Sequence, residues 1–346
     1  MKTRPLKNYS ASVGCEVYDI DLTSNEEIEE LGRLVAEQNI VFIDQQITPK
    51  RLHEIMTSWG DASKAMIHQW ASEHKLKGRH WRPFTASLGY TTKHVDKDIN
   101  DAVTLVTFRR DEKDKPVGLF ENGELTWHAD QCSTDDAPRI IGLQSVSDTA
   151  NSQTEFLCTH DAYESLSSDM KSMIKELYVD HRWFSGVLAP NLNYGQQQVA
   201  KYNQVPLDGA ETRLYAESVK GLPGIKFPSH SFNGFVGMSV EESKKVFDEL
   251  KQAVLKDKWV HTQNWQDGQI VFMDQEITIH RRPTNVKHGD LRTMARVITY
   301  WNKLFPEAQP FTTMRYKGQV YSHDDIVKII DENRIKEFER ELDQQQ

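Results

Sequence analysis

With 346 residues, 38% hydrophobic and 27% charged, the chain has the apolar bulk for a sizeable core, and eight Trp with fourteen Phe supply much of it. A formal net charge of −9 with no long run of Lys or Arg excludes a general nucleic-acid surface, because neutralising phosphates takes clustered cations. No run approaches the ~18–20 apolar residues of a membrane-spanning helix, so the partner to expect is a small molecule.

The three cysteines, Cys15, Cys132 and Cys158, are odd in number and lack metal-type spacing, which argues against a disulfide framework. The opening Met1 to Leu6 has no apolar stretch of the signal-peptide kind, so the expectation is a cytoplasmic enzyme. We read residues 1–346 as one domain, since large β folds often use this length with insertions.

In chain order, residues 11–23 alternate loosely, and Ser24 with Glu27 has the spacing of a capping box. A helix should follow, with Ile28, Leu31, Leu34 and Val35 on one side, and then a short buried strand over 40–43. Thr48 as N-cap with Pro49 in the first turn starts a second helix whose stripe is Leu52, Ile55, Met56 and Trp59. Residues 61–100 show no sustained period and carry His68, His74, His80 and His94, so they read as a long active-site loop region. Val103 to Phe108 reads as a strand, Asn122-Gly123 as a hairpin signal, Ile140 to Val146 as another strand, and Asp161 to Tyr178 as one helix. The stretch 184–237 is rich in Gly, Pro, Asn and Gln and reads as a lid or excursion. Ser239 and Glu242 give a second capping box, and Trp265 with the Asp267-Gly268 turn opens a strand pair carrying His280 and two arginines. Ser322 caps a last amphipathic helix with Ile326, Ile329 and Ile330.

The chemistry gathers at Trp127-His128-Ala129-Asp130. A His and an Asp two apart on a strand present an imidazole and a carboxylate to one face. With His280 as third ligand they make the two-His, one-carboxylate set that holds a non-haem Fe(II) and leaves positions open. Arg292 and Arg296 follow His280 by twelve and sixteen residues. In a strand both guanidiniums fall on one face, where a planar fork can grip a carboxylate.

This ordered set resembles the taurine dioxygenase/TfdA family of Fe(II)- and 2-oxoglutarate-dependent dioxygenases over most of the chain. Val41-Phe42 and Ile47-Thr48-Pro49 look like the family's opening strand and helix start. Pattern alone says mixed α and β. The resemblance implies a double-stranded β-helix (jelly-roll) core with flanking helices and long loop excursions, and homo-oligomers such as relatives commonly form. It implies Fe(II), 2-oxoglutarate and O2 as the reacting set, with the oxoacid decarboxylated to succinate and CO2 while a substrate C–H is oxidised, usually to a hydroxyl. Asp130 favours oxygenation, since related halogenases lack that carboxylate.

The resemblance also implies roles. Asn151-Ser-Gln-Thr154 stands where the family has Gly-Gly-x-Thr, departing in both glycines, and Thr154 would contact the oxoacid's distal carboxylate together with Arg292. Arg296 would meet either the oxoacid or an anionic group of the substrate. Glu124 stands where relatives place a substrate-contacting side chain, and Trp127 is read as a wall of the site and a candidate substrate contact. Asp274, in the stretch before the distal His, is read as structural. The alternative function is a metal-dependent hydrolase with zinc in the same two-His, one-Asp site, activating water.

Overall fold

The computed structural model describes residues 1–63, 103–107, 125–131, 137–150, 152–182, 209–228, 231–283, 292–310 and 313–322, with isolated positions between and after them. The expected loop region therefore lies outside the described residues from position 64 to 100, as do Glu124 and residues 183–208.

Helix starts follow their caps. Ser24 Oγ accepts from Glu27 N at 3.3 Å to open α1 (Asn25–Gln38), but the Glu27 carboxylate accepts from Asp21 N, so the reciprocal half of the box is made one turn earlier. Thr48 accepts from Arg51 N and opens α2 (Pro49–Trp59). The indole of Trp59 donates to Ile28 O at 2.9 Å and ties α2 to α1. At the end of α2, a Cβ on Gly60 would collide with the Tyr300 carbonyl, and this close approach lets Tyr300 N donate to Asp61 O.

Both helices cover one face of a seven-stranded sheet, ordered Lys2–Pro5, Cys15–Tyr18, Ile40–Asp44, Gln269–Asp274, Arg139–Ser147, Thr293–Tyr300 and Val103–Thr107. Period-two alternation splits its residues between two cores. Val41, Ile43, Ile270, Phe272, Ala295 and Val297 pack with Leu31, Leu52, Met56 and Trp59 of the helices. Their neighbours Ile40, Phe42, Val271, Met273, Met294 and Ile298 face the other way and meet Phe156 and Cys158 of a second sheet. That sheet has four strands, ordered His261–Asn264, Gln153–Cys158, Thr278–Arg282 and Leu125–His128. Its outer face, with Leu157, Ile279 and Trp127, joins a third core that includes Leu214, Phe232 and Leu250. The last of these belongs to α5 (Val240–Val254), which starts with both halves of the Ser239–Glu242 box in place.

Three expectations are corrected. The single helix over 161–178 is two, α3 (His160–Glu164) and α4 (Ser168–Glu176), because Ser167 caps a new start by accepting from Met170 N, and Tyr178 already begins a strand. Within 184–237, residues 209–235 are not an excursion: strands Gly209–Arg213 and Phe232–Phe235 flank Tyr178–Arg182 in a five-stranded sheet, and Tyr215–Glu217 pairs with Pro223–Ile225. Polar pairing hides that sheet from an apolar pattern: buried Glu211 accepts from Arg315 Nε and Gly318 N, and buried His181 bonds Ser231 and Thr212 hydroxyls. The strand with His280 and the strand with Arg296 do not pair with each other, because they belong to the two facing sheets. No helix among the described residues is long and apolar enough to cross a membrane.

Candidate active site

The site lies between the facing sheets. On the four-stranded sheet, His280 stands directly opposite His128 on one side and Phe156 on the other, with the two imidazole centroids 4.3 Å apart. The register then slips, so that Arg282 pairs with Leu125. The extra residue on the His128 strand is a β-bulge, a device that re-aims side chains, and it lets Leu125 and His128, three apart, line the same cavity.

Asp130 follows the strand's end. Its N–H donates to Gln275 Oε1 at 2.8 Å, its Oδ1 lies 3.5 Å from His128 Nε2, and its Oδ2 accepts from Arg296 Nη1 at 2.6 Å. One ligand atom from each of His128, Asp130 and His280 lies within 4.8 Å of the others. The donor set fits a divalent cation. His128 Nδ1 donates to Thr126 O at 2.6 Å, which fixes the tautomer and leaves the Nε2 lone pair toward Asp130. Burial pushes His280 down to about 3, so its ring is neutral, and its Nδ1 is buried with no hydrogen-bond partner. A buried ring nitrogen without a partner, in a residue that clusters with a second imidazole and a carboxylate, is the kind of unsatisfied group that a bound ion would account for. Burial works to raise Asp130, but the Arg296 guanidinium overcomes it and holds the carboxyl ionised, far below the usual range.

Thr154 lies on the strand next to His280's, and its hydroxyl accepts from the buried Trp265 indole N–H at 2.9 Å. Of the two positions where the family has glycines, Asn151 lies outside the described residues, and the turn just before it is tied to Asp267. Asp148 takes the left-handed conformation at φ 55, and the Asp267 carboxylate accepts from Asp148 N, Thr149 N and the Thr149 hydroxyl.

The seven-stranded sheet supplies the opposite wall. Arg292, Met294 and Arg296 line the cavity at alternate positions, as the period-two rule predicts. Arg292 is buried and donates from Nη2 to Met294 Sδ at 2.6 Å. Burial and the nearby Arg282 guanidinium push it down to about 9. With Arg292 folded onto Met294 and Arg296 onto Asp130, the cavity measures about 40 Å³. A five-carbon diacid needs more room, so its entry requires these side chains to swing aside.

Six expected residues thus line one cavity: His128, Asp130, Thr154, His280, Arg292 and Arg296. Trp127 does not. It points to the opposite face of its strand, packs in the outer core and carries the Arg281 guanidinium over its ring at 5.0 Å, so the expected substrate contact is replaced by a structural one. Glu124 lies outside the described residues. Asp274 is structural as expected, its Oδ1 accepting from Glu276 N and Ile277 N in the turn before the His280 strand. Arg282 and Gln275 were not singled out by the sequence pattern. The rule that joins His128 to Asp130 would have found Arg282, which is two residues past His280.

A mixed fold dominated by β sheets, with two imidazoles and a carboxylate facing a pair of arginines, is an arrangement able to hold a divalent cation beside an anion. The family model for taurine catabolism dioxygenase TauD, TfdA family, matches residues 2–298, and the chain belongs to this family. It is 25% identical over 246 residues to the alkylsulfatase of Acinetobacter baylyi, covering 67% of this chain and 75% of that one. To the alpha-ketoglutarate-dependent 2,4-dichlorophenoxyacetate dioxygenase of Cupriavidus pinatubonensis it is 25% identical over 271 residues, covering 77% and 87%. Among solved structures, AAD-2 in complex with Mn(II) and N-oxalylglycine superposes with a TM-score of 0.59 at 18% identity, covering 86% of this chain and 98% of that one. A taurine dioxygenase from Burkholderia xenovorans superposes with a TM-score of 0.58 at 17% identity, covering 86% and 90%. The chain is therefore an oxidoreductase, a dioxygenase that uses Fe(II), 2-oxoglutarate and O2 on a small-molecule substrate. The metal-dependent hydrolase alternative finds no support in this family membership.

Proposed function

We propose that His128, Asp130 and His280 hold the Fe(II), that Thr154 and Arg292 take the distal carboxylate of 2-oxoglutarate, and that Arg296 receives an anionic group of the organic substrate. The observation that carries this reading is the placement of three mutually close ligand atoms, two on one sheet and one in the turn after its edge strand, facing two arginines from the other sheet across a single cavity. The bound metal supplies the oxidation: 2-oxoglutarate and O2 yield succinate and CO2, one oxygen atom entering succinate and the other the substrate.

The chain's own residues bind, orient and exclude water. Thr126 O keeps His128 in the tautomer that ligates, and Gln275 keeps Asp130 turned inward. Val106, Leu125, Ile141, Leu143, Met273 and Met294 form apolar walls, and in so dry a cavity each charge–charge contact is stronger than in water. Arg296 neutralises Asp130; a metal held by that carboxylate would compete with this pair and let the guanidinium turn to another anion. We propose an organic anion such as an alkyl sulfate or an aryloxy acid as substrate, consistent with the names of the two relatives above.

The wider reading has the two facing sheets as the layers of a double-stranded β-helix within one catalytic domain, which acts as a homo-oligomer in the cytoplasm. Free Cys15 and Cys158 are buried and fit a reducing compartment. The test is succinate release by the Fe(II) enzyme with 2-oxoglutarate, screened against alkyl sulfates, aryloxyacetates and neutral analogues of the same shape. Stimulation by anions alone supports the reading, whereas equal stimulation by neutral analogues refutes the role of Arg296.

A further inference from the structure

The cavity holds a third arginine. Arg282 lies two residues beyond His280 on one strand, so both side chains leave the same face, and both line the cavity. It is 3% exposed, as is Arg292. Its neighbour Arg281 also borders the cavity, but its guanidinium is paired with Glu155 and stacked over Trp127. Of the two arginines after the ligand, one is thus committed to partners on its own sheet and the other is buried against the cavity.

The register fixes what Arg282 stands beside. The strand Thr278–Arg282 runs antiparallel to Gln153–Cys158 with His280 opposite Phe156 and Arg281 opposite Glu155. That register ends at Arg281, and carried one step further it would set Arg282 beside Thr154, which lines the same cavity. The Thr154 oxygen already accepts the Trp265 indole N–H, which leaves its own O–H proton to donate into the cavity. Arg292, from the opposite sheet, is close enough to Arg282 for the one charge to disfavour the other. Two guanidiniums and a hydroxyl thus converge at one end of the cavity. Along the strand that end is about 7 Å from His280, close to the length of a five-carbon diacid whose keto-acid end sits at the ligands.

We propose that Arg282 is a second cationic anchor for the distal carboxylate of 2-oxoglutarate, acting with Arg292 and Thr154. The proposal rests on the oxoacid site given above. A carboxylate has two oxygens and about four lone-pair positions. One bidentate fork fills two of them, and the hydroxyl and a second guanidinium fill the others.

The test compares two oxoacids by anaerobic equilibrium titration of the Fe(II)-loaded protein, 2-oxoglutarate and 2-oxobutyrate, the second of which lacks the distal carboxylate. Arg282→Met, which keeps the stem but removes the charge, should weaken 2-oxoglutarate on the order of 10- to 100-fold and leave 2-oxobutyrate within about twofold. Arg282→Lys should recover part of the loss, because it restores charge without the fork. Glutarate should raise the Tm of the metal-free wild type and raise it less in both variants. Equal losses for the two oxoacids, or no loss for either, overturn the role of Arg282. Thr154→Val and Arg292→Ala are run alongside: if they too fail to discriminate between the oxoacids, the distal-carboxylate site itself is misplaced, whereas failure of the Arg282 variants alone leaves that site standing.

Discussion

Gln275 lends itself to the sharpest perturbation, because it touches a proposed ligand only through the backbone. Its side chain is 2% exposed, its N–H donates to Arg139 O at 2.9 Å, and its Oε1 accepts from Asp130 N at 2.8 Å. Gln275→Met preserves volume and removes the acceptor, leaving a buried amide N–H dry at a cost of about 1–3 kcal/mol. Arg296 still grips the Asp130 carboxylate at 2.6 Å, so the side chain is not set loose, and only its approach angle changes. Partners that orient metal ligands typically account for about 10- to 100-fold in affinity. We expect the low end, roughly tenfold, for Mn(II) or Fe(II) measured by competition with a chelator, together with a lowered Tm. The result that refutes the reasoning is a lowered Tm with metal affinity unchanged within twofold, since the bond would then support the fold without positioning Asp130.

His280→Ala should abolish detectable divalent-metal binding while Arg292→Ala should not, and an anaerobic metal titration of both proteins separates them. Arg292→Ala should weaken 2-oxoglutarate about 30- to 1000-fold, from the loss of roughly 2–4 kcal/mol of charged hydrogen bonding in a desolvated site, and Arg292→Lys should rescue poorly; unchanged affinity in the alanine variant removes Arg292 from the clamp. Burial raises Asp274 from 3.8 to about 6, against hydrogen bonds from Glu276 N and Ile277 N. A carboxyl whose folded value lies above its unfolded one contributes stability that is complete below pH ~4 and lost as pH rises through about 6. Asp274→Asn, which copies the neutral carboxyl at every pH, should therefore match wild type in denaturant melts near pH 4 and become the more stable of the two above pH 6, and a difference that does not vary with pH counts against the burial argument.

How much of this was legible in the sequence depended on the range of the interaction. Thr48 with Pro49, and Ser239 with Glu242, lie within one turn of the groups they cap, so composition alone placed those helix starts. Arg292 and Arg296 share a face by a local rule, whereas Asp130 was expected on the His128 strand and lies in the turn two residues past its end. What joined the pairs was not local. His280 faces His128 only because of strand register and a bulge, and neither leaves a mark in the spacing. The strand Gly209–Arg213 was missed because its burial is secured by an ion pair and backbone donors more than a hundred residues away, at Arg315 and Gly318, where an apolar alternation would have been read directly. Trp127 was misjudged because its nearness to His128 in sequence is distance across a sheet, from one face to the other.

The division of labour between the sheets has an electrostatic consequence for substrate choice. The metal brings two positive charges and 2-oxoglutarate two negative ones, so loading both leaves the net charge of the cavity unchanged. The field that the arginines present to a third molecule therefore persists in the loaded state, weakened by no added anion in excess. What changes is Asp130. Without metal, its carboxylate is held by Arg296 at 2.6 Å, an arrangement that offsets the desolvation of both groups in a buried site. On the proposed ligand set, a divalent ion at that carboxylate would compete with Arg296 for it, leaving the guanidinium in a buried cavity with its fork less well matched. A buried guanidinium in that position would favour an incoming sulfate or carboxylate over a neutral group, because only the anion restores what Asp130 supplied. Loading the cosubstrates would then prepare the anion site, and the order in which the charges arrive would select for a negatively charged substrate.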